Sequence, residues 1–176
     1  LIIIGSIPII FFGFFIKIIN LNFEKAIELI GWNTLIFGII LGISDSTKVK
    51  KNKIELNDAF LIGLCQSLAL IPGVSRSGAV ITAGRFLGYS RYLSSKFSLI
   101  LSLPVLIAAM TLEMFYFYTN DDLHFKYEYL LGIFLSFIFA FMTIIFFMKY
   151  IERLSLRYFV VYRVLLGTII LILVYL

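Results

Sequence analysis

The sequence is poor in charged residues, cysteine, histidine and proline. Charged side chains make up 14% of its 176 residues and hydrophobic ones 61%, whereas soluble proteins carry about 25% charged residues. That composition excludes a soluble globular domain. The single cysteine excludes an internal disulfide, and together with a single histidine it excludes a Cys/His metal site. We therefore expect any bound metal to be held by oxygen atoms.

Long apolar runs fill most of the chain instead. A helix that crosses a bilayer needs about 20 mostly apolar residues, because its backbone groups must be satisfied internally. We predict an all-α, polytopic integral membrane protein with about five transmembrane helices and one re-entrant helix hairpin. Residues 1–176 then form a single transmembrane domain. The five runs lie at 1–16, 29–44, 97–118, 129–148 and 158–176.

Residues 59–89 behave differently from the five runs. They divide at Pro72-Gly73 into two apolar pieces, each too short to cross a bilayer alone. The pieces form either one broken crossing or a re-entrant hairpin. Loops 45–58 and 149–157 are basic, whereas loop 119–128 is mostly acidic. Because positive loops stay cytoplasmic, both basic loops fall inside only if residues 59–89 re-enter, so we prefer the hairpin, with residue 1 inside and residue 176 outside.

The break between the two pieces has the sequence Pro72-Gly73-Val74-Ser75-Arg76-Ser77-Gly78. The proline ends the first half-helix, and the glycines let the backbone bend and a ligand approach. Ser75 or Ser77 can cap the second half-helix, whose free N–H groups attract an anion. Arg76 adds a planar fork that matches phosphate oxygens. A plain turn whose arginine reaches the headgroups is the alternative, but roughly 20 Å of half-helix makes that reach costly.

These residues resemble the undecaprenyl-diphosphatase family of bacterial membranes. The resemblance is carried by residues 61–78 with the Pro-Gly-x-Ser-Arg-Ser-Gly block, by Gly5-Ser6-Ile7-Pro8 and by residues 159–163. It implies hydrolysis of undecaprenyl diphosphate to undecaprenyl phosphate and phosphate, which recycles the lipid carrier for peptidoglycan synthesis. It also implies a location in the bacterial cell (inner or plasma) membrane, with the bilayer and a polyprenyl diphosphate lipid as partners.

The resemblance further implies a divalent cation, Mg²⁺ or Ca²⁺. The family's Glu-rich motif has no counterpart in this sequence, so we expect the metal ligands in a preceding N-terminal part and none in these residues. We accordingly expect the 176-residue piece alone to be inactive. The alternative function is a transporter or flippase of a lipid phosphate or small anion, because broken half-helices also bind anions in transporters. No nucleic acid is expected as a partner, since the basic residues are spread between apolar blocks.

The loop chemistry and the resemblance together assign the candidate site. We expect Arg76 and Ser75 to be catalytic. The residues expected to bind the substrate are Gly73, Ser77, Gly78 and Arg163. Gln66 and Thr82 are expected to support the loop as second-layer donors, although a buried Gln or Thr more commonly forms a hydrogen bond between helices. For Arg163 an ion pair with Glu113 and an interfacial anchor remain alternatives. Arg85 is expected to be structural, near the cytoplasmic face.

Two Gly-x-x-x-Gly spacings, at residues 38–42 and 84–88, indicate close helix contacts. Such contacts form within one chain as well as between chains. A homodimer is therefore compatible with the sequence but not required by it.

Overall fold

The computed structural model describes residues 1–19, 26–119, 127–153 and 155–176. These parts contain seven α-helices and one 3₁₀ turn, and the prediction of an all-α fold is confirmed. In chain order they are α1 (Ile2–Ile19), α2 (Ala26–Asp45), α3 (Leu56–Ser67), the 3₁₀ turn (Leu68–Leu70), α4 (Arg76–Phe86), α5 (Arg91–Thr119), α6 (Tyr127–Tyr150) and α7 (Arg157–Tyr175).

Four of the described helices, α2, α5, α6 and α7, have the length and composition to cross a membrane. α1, the remaining expected span, is a shorter apolar helix over the residues whose side chains are described. The chain is therefore a multi-pass membrane protein. Most of the acidic loop expected on the outside falls on residues 120–126, which lie outside the described residues.

Several helices extend past the charge-free runs that predicted them. α5 starts at Arg91 rather than at residue 97, because the N–H of Leu93 donates to Ser90 Oγ at 3.1 Å and caps the helix there. Charged residues in this first turn end the apolar run without ending the helix. Apolar runs therefore underestimate helices that continue into the interface.

The two short helices α3 and α4, of 12 and 11 residues, pack against each other as the arms of a hairpin. The residues before α3 and after α4 meet, because the N–H groups of Lys50 and Lys51 donate to the Gly88 carbonyl at 2.8 and 3.1 Å. Gly88 has φ +89°, which favours glycine at this turn. The chain thus enters and leaves the hairpin at one place. Which membrane face that place occupies stays a prediction.

Buried polar contacts close this end of the hairpin. The hydroxyl of the fully buried Tyr89 donates to the Asp58 carboxylate, and Lys51 Nζ lies 2.6 Å from Asp58 Oδ2. The hydrogen bond from Lys51 lowers the pKa of Asp58, and the same bond raises the pKa of Lys51. We call these three residues the base clasp.

A second polar cluster joins the hairpin to α2, α5 and α7. The Asp45 carboxylate accepts two bonds from the Arg91 guanidinium, at 2.6 and 2.8 Å, and lies 3.3 Å from Ser155 Oγ and the Leu156 N–H. Arg85 donates to three nearby backbone carbonyls. Arg85 therefore has the structural role expected of it.

Helices α2 and α7 form a closely packed pair, whereas α6 is mostly exposed and meets α7 where Phe147 packs edge-to-face on Phe159. A Cβ added at Gly167 would lie 2.9 Å from the Gly31 carbonyl oxygen, and one added at Gly38 would lie 2.9 Å from Arg163 Cβ. Only glycine permits these approaches. The first Gly-x-x-x-Gly spacing therefore serves a contact inside the chain. α6 has no buried residue among those described.

Candidate functional site

The loop between the 3₁₀ turn and α4 folds back against α2. Ile71 is extended, with φ −81° and ψ 129°, and Gly73 has φ +90°. A Cβ added at Gly73 would lie 2.7 Å from both the Cα and the carbonyl oxygen of Ile30. Glycine is therefore required here by the backbone angle and by the contact with α2.

Ser75 is the N-cap of α4. Its backbone is extended, and its Oγ accepts a hydrogen bond from the Gly78 N–H at 3.2 Å. Ser77 Oγ lies 3.3 Å from Ser75 Oγ. Of the two serines considered from the sequence, the structure therefore selects Ser75 as the cap. The start of α4 presents peptide N–H groups and two hydroxyls, a combination suited to an anion.

Two arginines lie near this helix start and differ in their contacts. Arg76 is half-buried and makes no hydrogen bond or ion pair with any described residue. Arg163 on α7 is 9% exposed; its Nη2 donates to the Gly73 carbonyl at 3.0 Å and its Nε to the Thr34 carbonyl at 3.3 Å. A Cβ added at Gly78 would lie 3.1 Å from Arg163 Nη1, so this guanidinium also reaches the start of α4.

These contacts favour a site role for Arg163 over both alternatives. No ion pair joins it to Glu113 among the described residues, because α7 packs on α2 whereas Glu113 is exposed on α5. Its burial also argues against an interfacial anchor, which would keep the guanidinium in contact with headgroups and water.

Two cavities adjoin the loop. The smaller, of about 100 Å³, is lined by Ser75, Ser77, Gly78 and Arg163 together with apolar side chains. The larger, of about 410 Å³, is lined by Gly73, Ser75 and Arg163 among others. The structure thus brings five of the candidate residues together. The side chain of Arg76 lines neither cavity.

Gln66 and Thr82 are not among the residues brought to the loop. Gln66 is fully buried, and neither atom of its amide has a hydrogen-bond partner among the described residues. Thr82 is 8% exposed, and no described contact joins it to the loop. Their expected role as donors that support the loop gains no contact from the structure and stays a prediction.

Two residues of α2 that were not predicted from the sequence donate hydrogen bonds to the loop, the role expected of Gln66 and Thr82. Asn33 Nδ2 donates to the Pro72 carbonyl at 2.8 Å, and Thr34 Oγ1 lies 3.4 Å from the Gly73 carbonyl oxygen. A usable signal was present, because Asn33-Thr34 is a polar pair inside the apolar run 29–44. Polar side chains inside a span usually have a function.

The described residues do not fit a divalent cation. No group of three or more His, Cys, Asp or Glu side chains within them could hold a metal ion. The loop offers hydroxyls, N–H groups and guanidinium groups, and the last two repel a cation. The expectation that carboxylates elsewhere hold Mg²⁺ or Ca²⁺ stays a prediction.

A comparison of the sequence with models of protein families identifies one matching family. The sequence model of one family, described as bacitracin resistance protein BacA, matches residues 1–169. The chain belongs to this family. The loop therefore lies within a match that covers nearly all of the chain.

Curated relatives of this BacA-family chain are named undecaprenyl-diphosphatase. The relative from Pelagibacter ubique (strain HTCC1062) is 41% identical over 99% of this chain and 70% of its own length. Those from Nocardioides sp. and Alteromonas mediterranea are 36% and 38% identical and are covered over 64% and 65% of their lengths. The chain thus spans about two-thirds of the length of these relatives. The family resemblance drawn from the loop is confirmed.

Proposed function

We propose that the protein hydrolyses undecaprenyl diphosphate to undecaprenyl phosphate and inorganic phosphate. Water attacks the terminal phosphorus, the bond between that phosphorus and the bridging oxygen breaks, and the lipid phosphate leaves. The observation that carries the proposal is the capped start of α4, where Ser75, Gly78 and Arg163 line one cavity. Family membership and the names of the relatives support the same activity.

The chemistry available at the loop is positioning and charge stabilisation. Phosphoryl transfer spreads negative charge over three equatorial oxygens, and donors fixed in advance lower its barrier. The N–H groups at the start of α4 and the Arg163 guanidinium are such donors. Arg76, the first residue of α4, carries a second charge that no described residue neutralises, although its side chain lines neither cavity.

The larger cavity supports a lipid substrate. Besides the loop, it is lined by Phe159, Tyr162 and Leu166 of α7. A diphosphate bound at Ser75 would place the first prenyl units along these apolar side chains. We assign no step to the divalent cation, because the described residues hold no ligand group for it.

The proposal includes a location in the bacterial cell membrane, with the basic loops in the cytoplasm. A homodimer gains no support from the glycine spacings, since Gly38 contacts Arg163 and Gly84 contacts Ser94 within the chain. An anion-binding helix start would serve a transporter as well as a phosphatase. No feature of the described residues favours the transporter over the phosphatase.

The test is phosphate release by the protein expressed from its complete gene and purified in detergent. With undecaprenyl diphosphate and Mg²⁺ or Ca²⁺ present, we expect stoichiometric phosphate and undecaprenyl phosphate. Folded protein that releases no phosphate, yet moves the lipid across reconstituted vesicles, would contradict the phosphatase and support the transporter.

A further inference from the structure

We propose that Asn33, assisted by Thr34, is a positioning residue for the phosphate-binding loop. From α2 it holds the carbonyl groups of Pro72 and Gly73 away from the substrate, so that Ser75 and the start of α4 can face it. This inference rests on the proposed function and deepens it at the same site.

Two side-chain hydrogen bonds join α2 to the loop. Asn33 Nδ2 donates to the Pro72 carbonyl at 2.8 Å, and Thr34 Oγ1 lies 3.4 Å from the Gly73 carbonyl oxygen, each bond linking residues 39 apart in sequence. Consecutive donors on α2 therefore meet consecutive acceptors in the loop. The shorter bond belongs to Asn33, so we expect it to contribute more.

The loop packs closely against α2 at Gly73. A Cβ added at Gly73 would lie 3.0 Å from Asn33 Cβ and 2.7 Å from Ile30 Cα, so the loop backbone is in direct contact with α2. Arg163 adds a link from α7, because it donates both to the Gly73 carbonyl and to the Thr34 carbonyl. The loop is thereby fixed to two helices that also pack against each other.

Electrostatics favours a loop whose carbonyl groups point away from the bound diphosphate. Carbonyl oxygens carry partial negative charge, and two of them facing a diphosphate would repel it. In a trans peptide the C=O and N–H groups point in opposite directions, and the chain has no cis peptide among its described residues. A Pro72 carbonyl held by Asn33 therefore turns the Gly73 N–H away from α2. The loop then offers donors to an anion and keeps its acceptors on the α2 side.

A purely structural role for Asn33 makes a different prediction. If the bond to Pro72 only adds stability, its loss lowers the melting temperature and the yield of folded protein but leaves kcat per folded molecule unchanged. If Asn33 contacted the substrate equally in the bound and transition states, its loss would raise KM and leave kcat unchanged. Positioning of the loop predicts that kcat falls while KM changes little.

The experiment measures kcat and KM for undecaprenyl diphosphate with Asn33→Leu in the protein expressed from its complete gene. Leu has the same branching at Cγ as Asn but offers no donor to the Pro72 carbonyl and adds no charge. Since misplacing a catalytic group by 1 Å can cost about 100-fold, we expect kcat to fall at least about tenfold, with KM within about threefold. Thr34→Val should lower kcat by only a few-fold.

Asn33→Ala keeps the test decisive if Asn33→Leu does not fold, and we expect it to lower kcat in the same way. The matched control is Ser44→Ala, which also removes a hydrogen bond from α2, one that ends within the helix at the Leu41 carbonyl. We expect this control to retain the kcat of the parent.

Parent kcat in the folded Asn33 variants, or a change in KM alone, would overturn the inference while leaving the phosphatase in place. A parent protein that releases no phosphate would overturn the proposed function and the inference together.

Discussion

The two ends of the α3–α4 hairpin both hold arginine and polar side chains but use them differently. At the base, the charges of Asp45, Asp58 and Arg91 are paired at 2.6 to 2.8 Å. At the tip, Arg76 has no partner among the described residues, and the serine hydroxyls line cavities. The base uses its polar groups to hold the chain together, and the tip leaves them available.

This difference separates a structural cluster from a candidate binding site better than residue type does. Removing the partner of a paired, buried carboxylate lowers the stability of the protein, because an uncompensated charge in a low-dielectric interior is costly. An unpaired guanidinium at the start of a helix is itself costly within a membrane unless a ligand uses it. We therefore expect substitutions at the base to change stability and those at the tip to change turnover.

The largest effect is expected for Arg76→Lys. The charge is kept, but the planar fork that matches two phosphate oxygens is lost. We expect kcat/KM for undecaprenyl diphosphate to fall about 100-fold or more, as for the loss of a donor to developing negative charge, with an unchanged melting temperature. The measurement is phosphate release by equal amounts of folded protein.

The matched control is Lys96→Arg, a conservative change of a basic residue on α5 away from the loop. Activity of Arg76→Lys within a few-fold of the parent would remove Arg76 from the site. The base and the tip would then no longer differ in the way we describe.

The next effect is expected for Asp45→Asn, at the base. The neutral amide introduced by this change could not neutralise Arg91, and the bidentate pair at 2.6 and 2.8 Å would become a weaker contact. Because the Arg91 side chain is 27% exposed, we expect a cost of about 2 kcal/mol, between the values for an exposed and a fully buried pair. We expect a lower melting temperature in detergent, with kcat of the remaining folded protein near that of the parent. Unchanged stability would show that the network around Asp45 does not hold the base.

Local features of the site were predictable from the sequence, and contacts between distant segments were not. Proline, glycine and serine at 72–78 act within their own turn, so the end of one half-helix and the cap of the next follow from residue type. The contacts of Asn33 and Arg163 join residues 39 and 90 apart, and they depend on how α2 and α7 pack. The polar pair Asn33-Thr34 marks a stretch of α2, and the family resemblance had placed Arg163 at the site, but neither identifies the carbonyl groups that these side chains contact.

The position of Gln66 on α3 follows from helix periodicity. Gln66 was expected to support the loop, with a contact between helices as the commoner role of a buried glutamine. The buried residues of α3 are spaced by three or four and form one stripe: Asp58, Ala59, Ile62, Gly63 and Gln66. Gln66 therefore belongs to the packed face of the helix. Proximity in sequence does not decide direction on a helix, whereas periodicity does.

The smallest effect, and the sharpest test of the base, is expected for Asp58→Asn in the base clasp. The variant loses the charge that Tyr89 and Lys51 bind, which we expect to cost about 1 kcal/mol.

The pKa of Asp58 lies below its ordinary value of 3.8, so its contribution is complete above that pH and disappears as the pH falls through the folded-state pKa. The pKa of Lys51 lies above 10.5, so its contribution is complete below that pH and disappears only as the pH rises further. The melting temperatures of parent and Asp58→Asn should therefore differ by a constant amount from about pH 5 to about pH 9 and converge in acid. Phosphate release by the folded variant should match that of the parent, and a fall in kcat at neutral pH would contradict the division between base and tip.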